Sequence, residues 1–305
     1  MIELNNVSRW YGQVIGVNDV TCTIGSGLTA LLGVNGSGKS TLMRLITGQL
    51  KPTTGEVKVF GKVPFANPEV YHHLGYCPEI DNFYEHWTGR EFVCYLARLS
   101  GISIAASKEK TEQALERVGM AERADRKIAG YSKGMRQRIK LAQAMIHDPQ
   151  IILLDEPLNG LDPVGRREFI NLLGALAEEG KAILVSSHIL FEVEQMTRSL
   201  LLLHRGRLLA TGDLGVIRGL IDKHPHQIRI ETPEPRRVAT LLAGLPNVAR
   251  VSFDSDGNAI QLEVRQPDAF YNAVMDAVVT DGLQITGMSS PDNNMESVFR
   301  YLVEG

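Results

Sequence analysis

Residues 33–41 of the chain read Gly33-Val34-Asn35-Gly36-Ser37-Gly38-Lys39-Ser40-Thr41. This segment matches the pattern G-x-x-x-x-G-K-[ST], and it lies between an apolar run at 28–32 and a helix-like run at 42–46. Its glycines let backbone N–H groups curl around a polyphosphate, and the following helix directs its positive end at the same oxygens. Lys39 adds a charge for the β and γ phosphates, and the Ser40 hydroxyl suits Mg²⁺. The segment predicts a polyphosphate site, against the alternative of a glycine turn with a chance lysine.

Two carboxylates follow a second apolar run. Residues 151–154 are continuously apolar, which is typical of a strand buried on both faces of a parallel sheet, and Asp155 and Glu156 come next. Ligands of open α/β sheets bind at the carboxyl ends of the strands. We therefore predict that Asp155 holds Mg²⁺ through a water and that Glu156 polarises the water attacking the γ phosphate. The alternative is that both acids only cap a loop.

A crossover helix and a third apolar run come after the two acids. Asp162 and the proline after it predict a helix N-cap and first turn, and Gly180 ends the helix. The apolar run at 182–185 predicts another buried strand, followed by Ser187-His188. If the two strands are neighbours, His188 can reach the γ phosphate as a donor and orienter. A purely structural histidine is the alternative.

Two other regions differ from this α/β pattern. Residues 89–147 read as three helices, at 91–100, 107–118 and from about 132, so we expect a helical subdomain inside the α/β domain. Beyond a predicted linker at 213–226, residues 227–305 show the order strand, helix, strand, strand, helix, strand. That order predicts a small α+β domain of the ferredoxin-like type. Its predicted elements lie at 227–231, 235–243, 248–253, 259–264, 268–279, 283–288 and 294–303.

The amino-acid composition disfavours several classes of function. The chain has 305 residues with 44% hydrophobic residues and a net charge of −3, so dedicated nucleic-acid binding is disfavoured. Its three cysteines form no C-x-x-C pair, which favours a reducing cytosol over a disulfide framework or a zinc site. The first residues lack the pattern of a signal peptide, and no apolar run reaches the ~20 residues of a membrane span. We expect a soluble protein whose membrane role depends on a partner.

Taken in order, the motifs resemble the nucleotide-binding subunit of ABC transporters over about residues 1–212. The resemblance implies an α/β P-loop NTPase fold (the ABC cassette), with ATP and Mg²⁺ as cofactors. Tyr11 matches the aromatic residue on which the family stacks adenine, with Trp10 as the competing candidate. Glu79 occupies the position of a family glutamine that contacts Mg²⁺ and senses the permease. Because a glutamate is still an oxygen ligand, we do not interpret Glu79 as a sign of inactivation.

The segment at 131–135 occupies the position of the family signature Leu-Ser-Gly-Gly-Gln. It retains Ser132 and Gly134, whereas Lys133 and Met135 depart from the pattern, and Lys133 adds a charge. The resemblance implies that this segment binds the γ phosphate held by another subunit; a plain N-cap at Ser132 is compatible with that role. Asp162 matches the loop that touches the opposite subunit.

These matches lead to a functional hypothesis. The chain is predicted to be an ATPase that dimerises on ATP beneath integral-membrane permease subunits, on the cytoplasmic face of the membrane. The signature variant is similar to an exporter branch with a separate six-helix permease, such as drug and sodium efflux systems. The segment with Phe83, Tyr84 and Trp87 is the candidate permease surface, with subdomain core as the alternative.

Other functions remain open from the sequence. One is a non-transport ABC ATPase acting on a macromolecular complex, although such chains usually carry two cassettes or a long coiled coil. Another is a regulatory binding module with vestigial ATP turnover, which the intact Lys39, Asp155, Glu156 and His188 disfavour. The C-terminal region could brace the dimer, regulate it or dock an accessory protein.

Overall fold

A computed structural model describes residues 1–213, 225–254 and 257–290. The chain divides into two compact units, Met1–Asp213 and Leu214–Gly305. Most of the predicted linker at 213–226 and the whole predicted helix at 294–303 lie outside the described residues.

The first unit is built around a sheet of six strands. Five strands run parallel, and the last pairs antiparallel at one edge. In sequence they are β3 (Gly27–Leu32), β5 (Leu74–Cys77), β6 (Ile151–Leu154), β7 (Ala182–Ser187), β8 (Ser199–His204) and β9 (Arg207–Asp213). Their order in space is β5-β6-β7-β3-β8-β9. The predicted strands at 151–154 and 182–185 are therefore neighbours, with Leu154 opposite Val185. This register brings the residues after β6 and β7 to one edge of the sheet.

A separate antiparallel sheet, which none of the sequence motifs indicates, lies in the N-terminal part of this unit. It consists of β1 (Ile2–Tyr11), β2 (Val14–Ile24) and β4 (Thr54–Val59), in the order β2-β1-β4. The hairpin turn between β1 and β2 contains Gly12, whose φ of 61° favours glycine. Tyr11 lies at the end of β1 and is therefore presented at the rim of this sheet.

Helices complete the first unit. They are α1 (Lys39–Ile46), α2 (Pro68–Tyr71), α3 (Gly89–Leu99), α4 (Ile104–Arg117), α5 (Lys133–Met145), α6 (Pro163–Glu178) and α7 (Leu190–Met196). The predicted helical insert is present as α3, α4 and α5. Thr88 and Glu91 form a capping box at the start of α3, which satisfies two otherwise unpaired N–H groups. A single cluster of buried residues joins these three helices to α6 and the central strands.

Replacing Phe169 by Ala tests this shared core. Phe169 lies on α6 with 1% of its surface exposed, within the cluster that joins the helical insert to the sheet. We expect the free energy of unfolding to fall by about 3–5 kcal/mol, since the substitution removes apolar contacts and leaves a cavity. Urea unfolding measures the change. Leu99→Ala, at a side chain that is 66% exposed, serves as the control and should change little.

The second unit contains an antiparallel sheet of four strands. Its elements are β10 (His226–Glu231), α8 (Pro235–Leu242), β11 (Val248–Phe253), β12 (Ala259–Val264), α9 (Pro267–Thr280) and β13 (Gly287–Ser289). The strand order β11-β12-β10-β13 is that of a ferredoxin-like sheet. The last strand is shorter than the predicted 283–288. Leu283 is buried in the core of this unit and precedes the pairing of Gly287 with Glu231.

No helix in the described part of the chain combines the length and apolar character required to cross a bilayer.

Candidate functional site

The loop at 33–38 is shaped by close backbone approaches. Gly38 has a φ of 108°, and a Cβ there would lie 2.3 Å from the carbonyl oxygen of Gly16, so only glycine fits. Helix α1 begins directly after Gly38, and no side chain caps it. Its first N–H groups are therefore available to an anion, with the positive end of the helix dipole behind them.

Lys39 bridges this loop and the acidic strand end. The side chain is buried, and Nζ donates to the carbonyl oxygen of Gly33 at 2.6 Å. The same Nζ lies 3.1 Å from Oε1 of Glu156. A buried cation within reach of both the loop and a carboxylate is placed to neutralise added negative charge.

The two predicted acids are buried side by side after β6. Ser186, in β7, accepts from the N–H of Glu156 at 2.8 Å and donates to Oδ1 of Asp155 at 2.7 Å. Glu156 has a φ of 49°, an uncommon conformation for a residue with a side chain and one that clusters at functional sites. Ser186 thus holds both acids, and sequence reasoning missed it. Its place directly after the apolar run of β7, two residues before His188, was the available signal.

His188 reaches Glu156, as the adjacency of β6 and β7 requires. Its Nδ1 lies 2.9 Å from Oε2 of Glu156. In this contact Nδ1 is assigned as the donor and the carboxylate as the acceptor, so Nε2 faces away from Glu156. Glu156 therefore lies between Lys39 on one oxygen and His188 on the other.

Of these residues, Lys39 and Glu156 line a cleft of about 430 Å³. Tyr11 is half-exposed at its rim, with the Arg9 guanidinium 5.1 Å from the ring centroid and the Tyr11 hydroxyl 3.5 Å from Oγ1 of Thr41. A half-exposed ring at the mouth of the cleft can stack on a nucleobase. Residues lining the cleft include Tyr11, Asn35, Gly36, Gly38, Lys39, Ser40, Thr41, Glu79 and Glu156.

Three of the four predicted signature residues, Ser132, Gly134 and Met135, line a different cleft, of about 690 Å³, on the same unit. Ser132 caps α5 by accepting from the N–H of Met135 at 3.3 Å. Asp162 caps α6 in the same way, through the N–H of Gly165 at 2.7 Å, and lines this cleft together with Ser132 and Gly134. The side chain of Met135 is buried in the helical core.

Asp81, on the loop after Glu79, places a negative charge near the unusual Lys133. Oδ2 of Asp81 lies 3.6 Å from Nζ of Lys133, and Oδ1 lies 2.9 Å from Nζ of Lys140. Burial alone would raise the pKa of Asp81, but the hydrogen bond and charge of Lys140, with Lys133 and Arg136, hold that pKa below its ordinary value. Asp81 therefore stays ionised beside the start of α5.

Lys140 also fixes the backbone of the Glu79 loop. Its buried Nζ donates to the carbonyl oxygens of Pro78 at 2.9 Å and Glu79 at 3.2 Å. The helix that begins at Ser132 is thus bonded to the loop that carries Glu79. Neither Asp81 nor Lys140 was singled out from the sequence, because their contacts join residues about sixty positions apart.

The comparisons with known proteins agree with this geometry. The profile of the ABC_tran family, described as ABC transporter, matches residues 17–159. The bacitracin transport ATP-binding protein BcrA of Enterococcus faecalis is 31% identical over 308 residues, covering 100% of this chain and 97% of the relative. The chain belongs to the ATP-binding subunits of ABC transporters. As in that family, it binds and hydrolyses ATP.

Two further relatives bear on the family's behaviour. The Nod factor export ATP-binding protein I of Rhizobium sp. (strain N33) is 33% identical over 259 residues, which cover 84% of each chain. A solved ATP-binding cassette, dimeric in a post-hydrolysis state with ADP and phosphate, has 25% identity and a TM-score of 0.64. It covers 70% of this chain and 99% of the cassette. The shared fold is therefore that of ABC cassettes, which includes dimeric forms.

The cysteines lie outside this chemistry. Burial raises the pKa of Cys77 to about 12 and that of Cys22 to about 11. Both thiols remain protonated at neutral pH, so neither is a thiolate nucleophile or metal ligand.

Proposed function

We propose that two copies of this chain clamp two ATP molecules and thereby drive a separate membrane permease in export. In each composite site, residues 33–41 of one copy hold the phosphates, and Ser132 and Gly134 of its partner contact the γ phosphate. The observation that carries this proposal is the separation of the two sets of residues, which line different clefts of one unit. A second copy is required to bring them onto one nucleotide.

The donor set in the cleft fits Mg²⁺ bound with ATP. Among the described residues there is no group of three or more His, Cys, Asp or Glu side chains placed to hold a metal ion. Mg²⁺ usually uses only one or two carboxylates together with phosphate oxygens and waters. We assign its protein contacts to Ser40 and Glu79, which line the cleft, and to Asp155, which is buried and is not among the lining residues. Bound there, the ion would neutralise charge on the phosphates.

The residues of the chain itself account for the hydrolytic step. Lys39 neutralises the β and γ phosphates while the N–H groups at the start of α1 bind their oxygens. Glu156 accepts a proton from the attacking water, and its position is fixed by Ser186 and His188. With Nδ1 directed at Glu156, His188 can donate from Nε2 to the γ phosphate when both of its ring nitrogens carry protons.

We place the permease at an aromatic surface beside the Glu79 loop. Half of Tyr84 is exposed, and its ring lies 4.7 Å from that of Trp87, which in turn contacts Tyr95. Glu85 is bonded by both carboxylate oxygens to Arg136 of α5, at 2.6 and 2.7 Å. A permease helix docked here would therefore act on the helix that carries Ser132. The docked chain would lie on the cytoplasmic face of the membrane.

Export is supported by what the relatives are said to do. One is described as a bacitracin transport protein and another as a Nod factor export protein, and both names refer to ATP-binding subunits. We assign the second unit a role as an additional contact, either in the dimer or with an accessory protein, since none of the proposed catalytic residues lies in it.

A subunit-mixing experiment tests the composite site. Lys39→Ala removes phosphate binding but leaves the signature face intact. Gly134→Asp removes the signature function, because its carboxylate repels the γ phosphate. The Gly134→Asp variant should still fold, because a Cβ at Gly134 meets nothing nearer than Leu161 at 3.6 Å. An acidic side chain is also favourable in the first turn of a helix.

We expect each variant alone to be inactive and an equal mixture to regain ATP hydrolysis. Half of the dimers are then mixed, and each mixed dimer has one intact site, so roughly a quarter of the composite sites function. Steady-state phosphate release measures this. Absence of any recovery, with both variants folded and able to exchange subunits, would contradict a site shared between two copies.

A further inference from the structure

Glu192 is a buried acid that the mechanism above does not use. It lies in the first turn of α7 with 1% of its surface exposed. Its Oε2 accepts a hydrogen bond from the Ser187 hydroxyl at 2.7 Å. Burying a carboxylate is costly unless it is paired and bonded, so this placement needs a compensating interaction.

Ser187 directly precedes His188, and two of its hydrogen bonds fix the backbone next to the histidine. The Ser187 hydroxyl accepts from the N–H of Ile189 at 3.0 Å, which closes a tight turn around His188. The carbonyl oxygen of Ser187 accepts from the N–H of Gly33 at 3.2 Å. Glu192, by fixing the Ser187 hydroxyl, therefore sets the turn from which the His188 ring extends toward Glu156.

The other oxygen of Glu192 faces α6. Its Oε1 lies 3.4 Å from Nε of Arg166, which is one turn after the N-cap Asp162. The Arg166 N–H donates to the carbonyl oxygen of Asp162 at 2.9 Å. One buried carboxylate thus joins the turn carrying His188 to the start of the helix whose cap lies at the predicted dimer contact.

We propose that Glu192 is a positioning residue for ATP hydrolysis, acting through Ser187 on His188 and linked through Arg166 to the Asp162 end of α6. This inference rests on the proposed role of His188. Closure of the dimer around Asp162 would move the start of α6 and, through the Arg166–Glu192 pair, align the turn that holds His188. The carboxylate is needed because one oxygen accepts from the Ser187 hydroxyl while the negative charge pairs with the Arg166 guanidinium 3.4 Å from the other oxygen. A neutral amide of the same shape would lose that buried ion pair.

Glu192→Gln tests the proposal in the full-length chain. We expect kcat for ATP hydrolysis to fall about ten-fold, equivalent to about 1.4 kcal/mol of barrier, with KM for ATP within about two-fold of the wild type. Glu178→Gln, the same change at an exposed position on α6, is the matched control and should leave both constants unchanged.

A double-mutant cycle separates positioning from general loosening of the fold. In a His188→Ala background, Glu192→Gln should cost less than about two-fold in kcat, because the ring that it positions is already absent. Arg166→Gln should lower kcat in the same non-additive way. Full ten-fold losses in the His188→Ala background, or a normal kcat in the single variant, would overturn the proposal.

The two single variants distinguish failure of this proposal from failure of the catalytic role proposed for His188. If His188→Ala alone leaves kcat unchanged, the role assigned to His188 fails, and with it the positioning role of Glu192. If His188→Ala lowers kcat while Glu192→Gln has no effect, only the inference about Glu192 fails. Thermal unfolding of each variant confirms that the comparison is between folded proteins.

Discussion

Glu156→Gln is expected to lower kcat for ATP hydrolysis by about 10²–10⁴-fold, the usual contribution of a general base. The carboxylate lies 3.1 Å from Nζ of Lys39 and 2.9 Å from Nδ1 of His188, so its two oxygens are held in one orientation. An amide of the same shape keeps the packing but accepts a proton poorly. ATP binding should survive, because the loop and Lys39 are unchanged.

The same variant should accumulate ATP-bound dimers. ATP that contacts both copies shifts the equilibrium toward the closed pair, and slow hydrolysis then prolongs that state. Light scattering after gel filtration in Mg·ATP measures the dimer fraction, and phosphate release measures turnover. Glu69→Gln, at a surface glutamate paired with Lys62, is the control and should behave as the wild type. Normal turnover in Glu156→Gln would remove Glu156 from its proposed role.

Lys39→Ala is expected to weaken ATP binding by at least about 10²-fold, equivalent to about 3 kcal/mol. Lys39 is the buried cation that joins the Gly33 carbonyl to the Glu156 carboxylate. Without it, the Glu156 carboxylate would face the γ phosphate with no intervening positive charge. Both the lost charge-assisted hydrogen bonds and the new repulsion oppose binding.

Titration calorimetry with Mg·ATP measures this loss directly. Lys51→Ala, at an exposed lysine shortly after α1, is a control that should bind ATP normally. Wild-type affinity in a folded Lys39→Ala variant would contradict the placement of the phosphates at residues 33–41. Circular dichroism checks the fold, because the variant also leaves a buried carboxylate without its nearest cation.

Local signals predicted much of the first unit. The loop at 33–38, the strands at 151–154 and 182–185, and the caps Ser132 and Asp162 all arise from short-range rules of pattern and capping. The adjacency of Glu156 and His188 followed from one further assumption, that β6 and β7 are neighbours, which their pairing confirms.

Local sequence patterns did not predict the contacts between residues far apart in the chain. Asp81 meets Lys140, and Arg166 meets Glu192, between residues that no local pattern connects. In the second unit, the predicted strand at 283–288 is only three residues long, at Gly287–Ser289. Alternation of side chains predicts a tendency to be extended, whereas pairing depends on where the neighbouring strand lies.

The order of residues along the chain was enough to identify a phosphate-binding loop, two acids and a histidine at strand ends, because glycine patterns, apolar runs and caps act over a few residues. The three-dimensional fold alone decided how these groups are held. Ser186 bonds both Asp155 and Glu156, and Lys39 bridges loop and acid, because hydrogen bonds and ion pairs depend on distances in space between residues far apart in sequence.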